Sequence, residues 1–408
     1  MPRRTFLTVS FVLLFVIVSS CTSGDGENWY KGNVHSHSIW SDGDAAPEYV
    51  ADWYKSNGYQ FLVLSEHDLI AEDERWYEIS IDRRSALNDE RVEDLRTRFG
   101  EDWVIVREID GQQEMRLKTF GEIRDRFEAP DEFILVKGEE ISDRFERRPL
   151  HVSALNLAEF IERKGGESRS STMSNNLDAV LEQESRLGRP IVATVNHPNW
   201  TWALTPQELA AIDGTPFFEI YNGSAGCNNY GDESHPGMDE VWDIALTMRL
   251  TELGLGLLYG VAADDTHDYF TLGPTYSNPG RGWITVRAME LTPNALMEAM
   301  KEGNFYSSTG VVLRDFRISR SRYFVDIEEE EGVSYRTQFI GTRIFGERRG
   351  QIGEILLETT QNPATYRFSG DELYVRVKVI SSKAHENHVE GEEGPEVAWL
   401  QPTVPVKK

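Results

Sequence analysis

From Asn33 to about Thr285 the chain repeats one pattern: a short apolar run that stops at a knot of polar residues. Phe61-Leu62-Val63-Leu64 runs into Ser65-Glu66-His67-Asp68, and Phe133 to Val136 into Gly138-Glu139-Glu140. Ile191 to Val195 leads to Asn196-His197-Pro198, Phe217 to Tyr221 to Asn222-Gly223, and Leu255 to Val261 to Asp264-Asp265-Thr266-His267. His151 to Leu155 is shorter and begins with its polar residue. Apolar runs of this length bounded by turn signals predict buried strands. Between them Pro47 to Ser56, Ser174 to Leu187 and Asp239 to Leu253 predict helices. Alternation of strand and helix predicts an α/β fold with parallel strands, and polar groups at the trailing strand ends predict where its chemistry sits.

Two regions break the pattern. Residues 72–130 are highly charged and hold no histidine, so they read as a helical insertion forming a lid or rim. After a last helix from Asn294 to Glu302, the stretches Arg314 to Ile327, Tyr335 to Phe345, Ile352 to Thr359 and Leu373 to Ile380 alternate or run apolar without helical spacing. They predict a β-rich C-terminal domain over 311–408, crossed by the acidic turn Glu328 to Glu331.

The first residues read as an address. Arg3 and Arg4 precede an apolar stretch from Phe6 to Val18, short of the ~20 residues that span a bilayer. Val18-Ser19-Ser20-Cys21 resembles a bacterial lipoprotein signal. The expectation is a signal peptide over 1–20, a lipid on Cys21, a tether over 21–29, and export to a membrane facing periplasm or exterior. Cys227 then remains alone, so no disulfide forms within the mature chain, and it reads as a plain loop or core cysteine.

A formal net charge of −26 over 408 residues argues against a nucleic-acid partner. It leaves room for a small anionic substrate wherever bound metal reverses the local field. With 39% hydrophobic and 27% charged residues the chain is an ordinary globular protein, and its composition leaves the oligomeric state open.

The chemistry lies in the polar knots. His35 and His37, two apart on an extended segment, project the same way, and Asp42 follows closely. His67, Glu140, His151, His197, Asp265 and His267 all stand beside predicted strands. One such histidine would be unremarked; six of nine beside predicted strands, together with Asp42, Glu140 and Asp265, point to a metal centre. Imidazole and carboxylate without thiolate suit Zn, Mn or Fe. Lys31 and Arg281 are candidate contacts for an anionic substrate, and Glu219 and Asn222 for substrate or a ligand histidine. Trp200 and Trp202 are candidates for an aromatic wall, and His235 for a rim or plain loop residue.

Taken together, His35-x-His37, Asp42-Gly43, His67-Asp68, Gly138-x-Glu140, His151, His197-Pro198 and Asp265-x-His267 resemble the motifs of the PHP (polymerase and histidinol phosphatase) family over roughly 30–310. The resemblance implies a distorted seven-stranded barrel holding two or three divalent ions, and a phosphoesterase that needs no nucleophilic side chain. It implies that His35, His37, Glu140 and Asp265 hold one ion. Glu140 would bridge to a second held by His151 and His197, and Asp42, His67 and His267 would hold a third. Asp42, His67, Glu140 and His267 are then the catalytic set. The chain departs from many relatives in Glu66-His67-Asp68, which puts the aspartate after the histidine. The adjacent acids Glu139/Glu140 and Asp264/Asp265 leave a choice in which spacing favours the second of each pair. Two other readings stand beside this one: hydrolysis of a non-phosphate bond by a similar centre, and a non-catalytic, glycan-binding surface lipoprotein.

Overall fold

The computed structural model describes residues 26–82, 84–346 and 348–406. The expected signal peptide and Cys21 lie outside the described residues. The first strand, Asn28–Asn33, starts two residues inside the expected tether, because Asn28 and Trp29 pair with Ala288 and Arg287.

Seven strands follow one another in a single sheet: Tyr259–Ala263, Phe217–Asn222, Val192–Val195, Arg148–Leu155, Ile134–Phe145, Phe61–Leu64 and Asn28–Asn33. Most of the neighbours are parallel, as the alternating pattern predicts. Arg148–Leu155 is the exception, antiparallel to both of its neighbours. The reason is local: Ile134–Phe145 ends in a tight turn at Glu146, whose φ is 56°, and returns directly with no helix in between. Glu140 therefore sits in mid-strand rather than at a strand end, opposite Ser153 and near His151, which pairs with Ser142.

Past their last paired residues, the two outer segments of this series approach each other. Asp265 N donates to His35 O at 3.0 Å and His37 N to Thr266 O at 3.1 Å. Ser65 N reaches Ser36 O, and Asp68 N reaches Glu140 O at 2.9 Å, so backbone bonds tie four of the polar knots together. Beneath them lies one apolar cluster with a residue from each of the seven strands, including Tyr30, Phe61, Val136, Leu155, Phe217 and Val261. Leu296, Met297 and Met300 of the helix Pro293–Lys301 join it. Val63 packs so tightly on Gly138 that a Cβ there would lie 2.5 Å from its Cγ1, which is why Gly precedes the acidic pair.

Helix ends follow their sequence signals. Pro47 opens the first helix, Pro47–Ser56, and Thr119 with Glu122 forms a capping box on Phe120–Phe127. Gly188 in a left-handed conformation closes Arg169–Leu187. The insertion holds the expected helices, Asp89–Phe99 and Phe120–Phe127, and also a small antiparallel sheet of Trp76–Glu78, Gln112–Arg116 and Val106–Ile109. Their inner face is apolar, with Met115 between Tyr77 and Val106, but each strand brings only one residue to it, so no apolar alternation announced them.

Among the described residues no helix follows Lys301. The C-terminal strands Pro395–Thr403, Glu372–Ala384 and Tyr335–Phe345 extend the same sheet through Phe305–Ser308, with Tyr306 opposite Leu400. A second, three-stranded sheet joins Leu313–Ile318, Arg322–Ile327 and Ala364–Arg367. Among the described residues no helix is long and apolar enough to cross a membrane.

Candidate metal centre

Nine residues from six segments meet at one end of the seven strands. His35 and His37 enter on the same side of an extended segment, as their spacing requires, and both aim Nε2 at Asp265 Oδ1 at 3.2 Å. Glu140 lies between the rest. Its Oε1 is 3.0 Å from His151 Nδ1 and 3.3 Å from His197 Nε2, and its Oε2 is 2.7 Å from His67 Nδ1 and 3.5 Å from His37 Nε2. Asp42 lies across the mouth, 3.4 Å from His67 Nε2 and 3.3 Å from His267 Nε2.

Three groups of these residues bring their ligand atoms within 4.8 Å of one another: His37, Asp42, His67 and His267; His35, His37 and Glu140; and His67, Glu140 and His151. His35 Nε2, His37 Nε2 and Glu140 Oε2 are buried, and their approaches of 2.7–3.2 Å to Asp265 and His67 lack hydrogen-bond geometry. Leaving such atoms unpaired costs about 1–3 kcal/mol each. A shared cation would satisfy all three, so the residues present fit a divalent metal.

The electrostatics point the same way. Burial opposes charge on Glu140, yet His67, His35 and His151 outweigh it and hold the carboxyl well below its usual range. Burial likewise works against His67, but Glu140 and Asp42 lift its pKa to about 11, and His267 rises to about 9 beside Asp42 and Asp265. His37, buried and facing His267 and His67, falls to about 3. The carboxylates thus draw positive charge into the cluster, while one imidazole at its centre stays neutral and ready to ligate.

A supporting layer holds these side chains in place. Glu219 sits 2.7 Å from His35 Nδ1 and accepts from His197 N at 2.7 Å. Asn222 Nδ2 donates to Glu219 Oε2 and to Asp265 Oδ2, at 2.8 and 3.1 Å. Both residues are buried behind the cluster, so they touch ligand-type residues rather than the cavity. Such partners fix the orientation of a ligand and tune its basicity. His197 and Asp265 hold φ of 27° and 49°, a strained backbone that the surrounding bonds maintain.

In the adjacent acid pairs, the second residue faces the cluster. Glu139 turns away and its Oε2 accepts from Ile161 N at 2.9 Å. Asp264 binds the backbone N–H groups of Gly280, Arg281 and Gly282 at 2.7–2.8 Å.

Two candidate substrate contacts are placed elsewhere. Lys31 Nζ lies over the rings of Tyr59 and Trp283, 4.0 and 3.9 Å from their centroids, away from the cluster. It lies within the first strand, four residues before His35, with its side chain laid on those two rings. Arg281 is fully buried and donates to the carbonyls of Gly223, Tyr276 and Gly273, so it shapes loops.

Above the cluster opens a cavity of about 230 Å³, walled by Trp200, Ser224, Ala225, Cys227 and Ser277 as well as by site residues. Trp200 lies 5.1 Å from His197, ring to ring, and lines the cavity rather than packing in the core. Trp202 instead stacks on the exposed His235 at 4.0 Å. Cys227 is a free, buried loop cysteine in this wall, and burial pushes its thiol well up, so it stays protonated. Sequence reasoning missed Asn196, which donates to Glu140 Oε1 at 2.8 Å, and Ser142, 2.5 Å from His67 Nδ1. Asn196 adjoins a ligand histidine, a signal that could have found it; Ser142 had none.

No family model matches the chain, and no characterised protein matches it in sequence. Among solved structures it is similar to a two-domain protein from Bacteroides vulgatus containing a predicted PHP-like metal-dependent phosphoesterase, at 15% identity and a TM-score of 0.41, covering 98% of this chain and 99% of that one. It is also similar to a candidate metal-dependent phosphoesterase from Bifidobacterium adolescentis, at 13% identity and a TM-score of 0.28, over 58% of this chain and 87% of the other. A third is an amidohydrolase from Chromobacterium violaceum with bound sulfate and no metal, at 15% identity and a TM-score of 0.27, over 60% and 93%. The solved structures to which this chain is similar thus include one with a predicted PHP-like metal-dependent phosphoesterase.

Proposed function

We propose that the chain is a metal-dependent phosphoesterase acting on a small phosphomonoester or phosphodiester. The observation that carries this reading is the set of buried, unpaired donor atoms on His35, His37 and Glu140 inside a ring of further imidazoles and carboxylates. His35, His37, Glu140 and Asp265 would hold one ion; Glu140, His151 and His197 a second; Asp42, His67 and His267 a third. Bound there, divalent zinc, manganese or iron would activate water and offset charge on a phosphoryl group.

The protein's own contribution is placement. Among the described residues lining the cavity there is no lysine or arginine, so an anionic substrate would rely on the imidazoles and the ions they hold. Two or three divalent ions against three ligand carboxylates would leave the site net positive. Ser224 and Ser277, joined at 2.8 Å, offer hydroxyls at the wall, and Trp200 excludes water on one side. With about 230 Å³ available, the phosphoryl group enters and the leaving group lies toward the mouth.

The same reading takes the seven strands as a closed PHP-like barrel over 30–310 carrying 72–130 as a rim, with 311–408 as the β-rich partner domain. It takes the protein as exported and tethered by lipid on Cys21. A panel of phosphate esters, with phosphate release and metal content measured together, tests the reaction. Release that follows metal loading supports the reading, and no release from any ester by the metal-loaded protein overturns it.

A further inference from the structure

The hairpin joining Glu372–Ala384 to Pro395–Thr403 carries a connection over 385–394. That is longer than the ~2–5 residues usual for a hairpin, and loops of extra length commonly have work to do. This one leaves the C-terminal sheet and lies against both loops that wall the cavity. Asn387 Nδ2 donates to Pro279 O at 2.9 Å and Glu390 N to Pro274 O at 2.9 Å, which fastens the loop bearing Ser277.

Glu392 fastens the other wall. Its side chain is buried, and its two oxygens accept from Asn229 N at 2.6 Å and Asn229 Nδ2 at 2.8 Å. Asn229 in turn clasps the backbone of Asn222 from both sides: Oδ1 accepts from Asn222 N at 3.0 Å and Nδ2 donates to Asn222 O at 2.9 Å. Asn222 then holds Glu219 and Asp265, and Glu219 holds His35 and His197. Every link is a hydrogen bond between buried groups. Glu392 thus meets Asn229 at both its backbone N–H and its side-chain amide, the same amide that clasps Asn222.

We propose that the C-terminal segment completes the metal centre, with Glu392 as a positioning residue that holds Asn222, and through it Glu219 and Asp265, in the geometry that binds divalent ions. The proposal rests on the metal reading above. A role confined to joining two parts of the fold would predict a loss of stability alone. Positioning predicts a change in ion affinity that disappears once Asn222 can no longer relay it.

The test is calorimetric titration of Mn²⁺ into the chelator-stripped full chain, for the wild type, Glu392→Ala, Asn222→Ala and the double variant. The expected result is about a tenfold weaker Kd for Glu392→Ala, in the range that outer partners of metal ligands produce. Asn222→Ala should weaken binding at least as much, and the double variant no more than Asn222→Ala alone. Unchanged affinity in Glu392→Ala, or a double variant showing the product of the two losses, would overturn the proposal. Should Glu392→Ala fail to fold, Glu392→Gln is judged by the same ratios, since it keeps the volume but turns an amide donor toward Asn229. A wild type that binds no Mn²⁺, Zn²⁺ or Fe²⁺ overturns the metal reading itself, a result distinct from either of those.

Discussion

Glu139 and Glu140 are neighbours on one strand and face opposite sides of it, Glu140 into the histidine cluster and Glu139 toward the backbone of Ile161. Burial raises the Glu139 pKa to about 8, so at neutral pH it carries a proton and glutamine is its near isostere. Glu140 is ionised and shared among five imidazoles. Glu140→Gln should therefore lower phosphate-ester hydrolysis by about 10²-fold or more, the scale on which disturbed metal shells act. Glu139→Gln should stay within a few-fold of wild type. Steady-state kinetics of the two variants checks this, and the opposite order would move the ligand by one residue.

Much of this was legible in the chain because the site is written in strand-end motifs. His35-x-His37 and Asp265-x-His267 carry the two-residue period of an extended backbone, and the structure brings them within 4.3 Å, ring to ring, at His37 and His267. Phe61–Leu64 and Val192–Val195 appeared within a residue of their observed bounds, since fully buried runs leave no polar alternative. The antiparallel return of Arg148–Leu155 was not legible, because parallel and antiparallel strands share one local pattern and only the turn at Glu146 separates them. Nor was the placement of Lys31 over Tyr59 and Trp283, since nothing local to a charge on a strand says which distant rings it will cover. The bond from Glu392 to Asn229 spans 163 residues, beyond any local signal.

Arg376 provides a test of how the C-terminal strands are held. Its guanidinium, almost fully buried, donates to Asp243 Oδ1 and Oδ2 at 2.7 and 2.6 Å and to Asp239 at 3.0 Å. Arg376→Ala strands the Asp243 carboxylate in the interior and should cost about 3–5 kcal/mol. Arg376→Met combined with Asp243→Leu removes both charges and should recover most of that loss. Urea unfolding of the three proteins measures it, and a single variant as stable as wild type would count against the pairing.

Stability should also depend on pH through Glu392. Burial lifts its pKa from an ordinary 4.5 to about 7, against the opposing pull of Asn229 and Arg281. Between those values the unfolded chain has released the proton and the folded chain retains it, so this group lowers stability as pH rises from about 4.5 to about 7. Glu392→Gln cannot titrate. Its fall in Tm between pH 5 and pH 8 should be smaller than that of the wild type, and an equal fall would show that Glu392 is not the group responsible.

The lipid reading of Cys21 is tested by location. Cys21→Ala in the full-length chain, expressed in a bacterial host that processes lipoproteins, should move from the membrane to the soluble exported fraction. A variant that stays with the membrane would remove the case for a lipid tether.

The central claim is that nine side chains from six segments form one multinuclear metal centre around Glu140. Elemental analysis of the protein purified under metal-replete conditions addresses it directly. The account predicts two or three divalent ions per chain, falling together in Glu140→Gln because that carboxylate serves more than one of them. Less than one ion per chain in the wild type would contradict it.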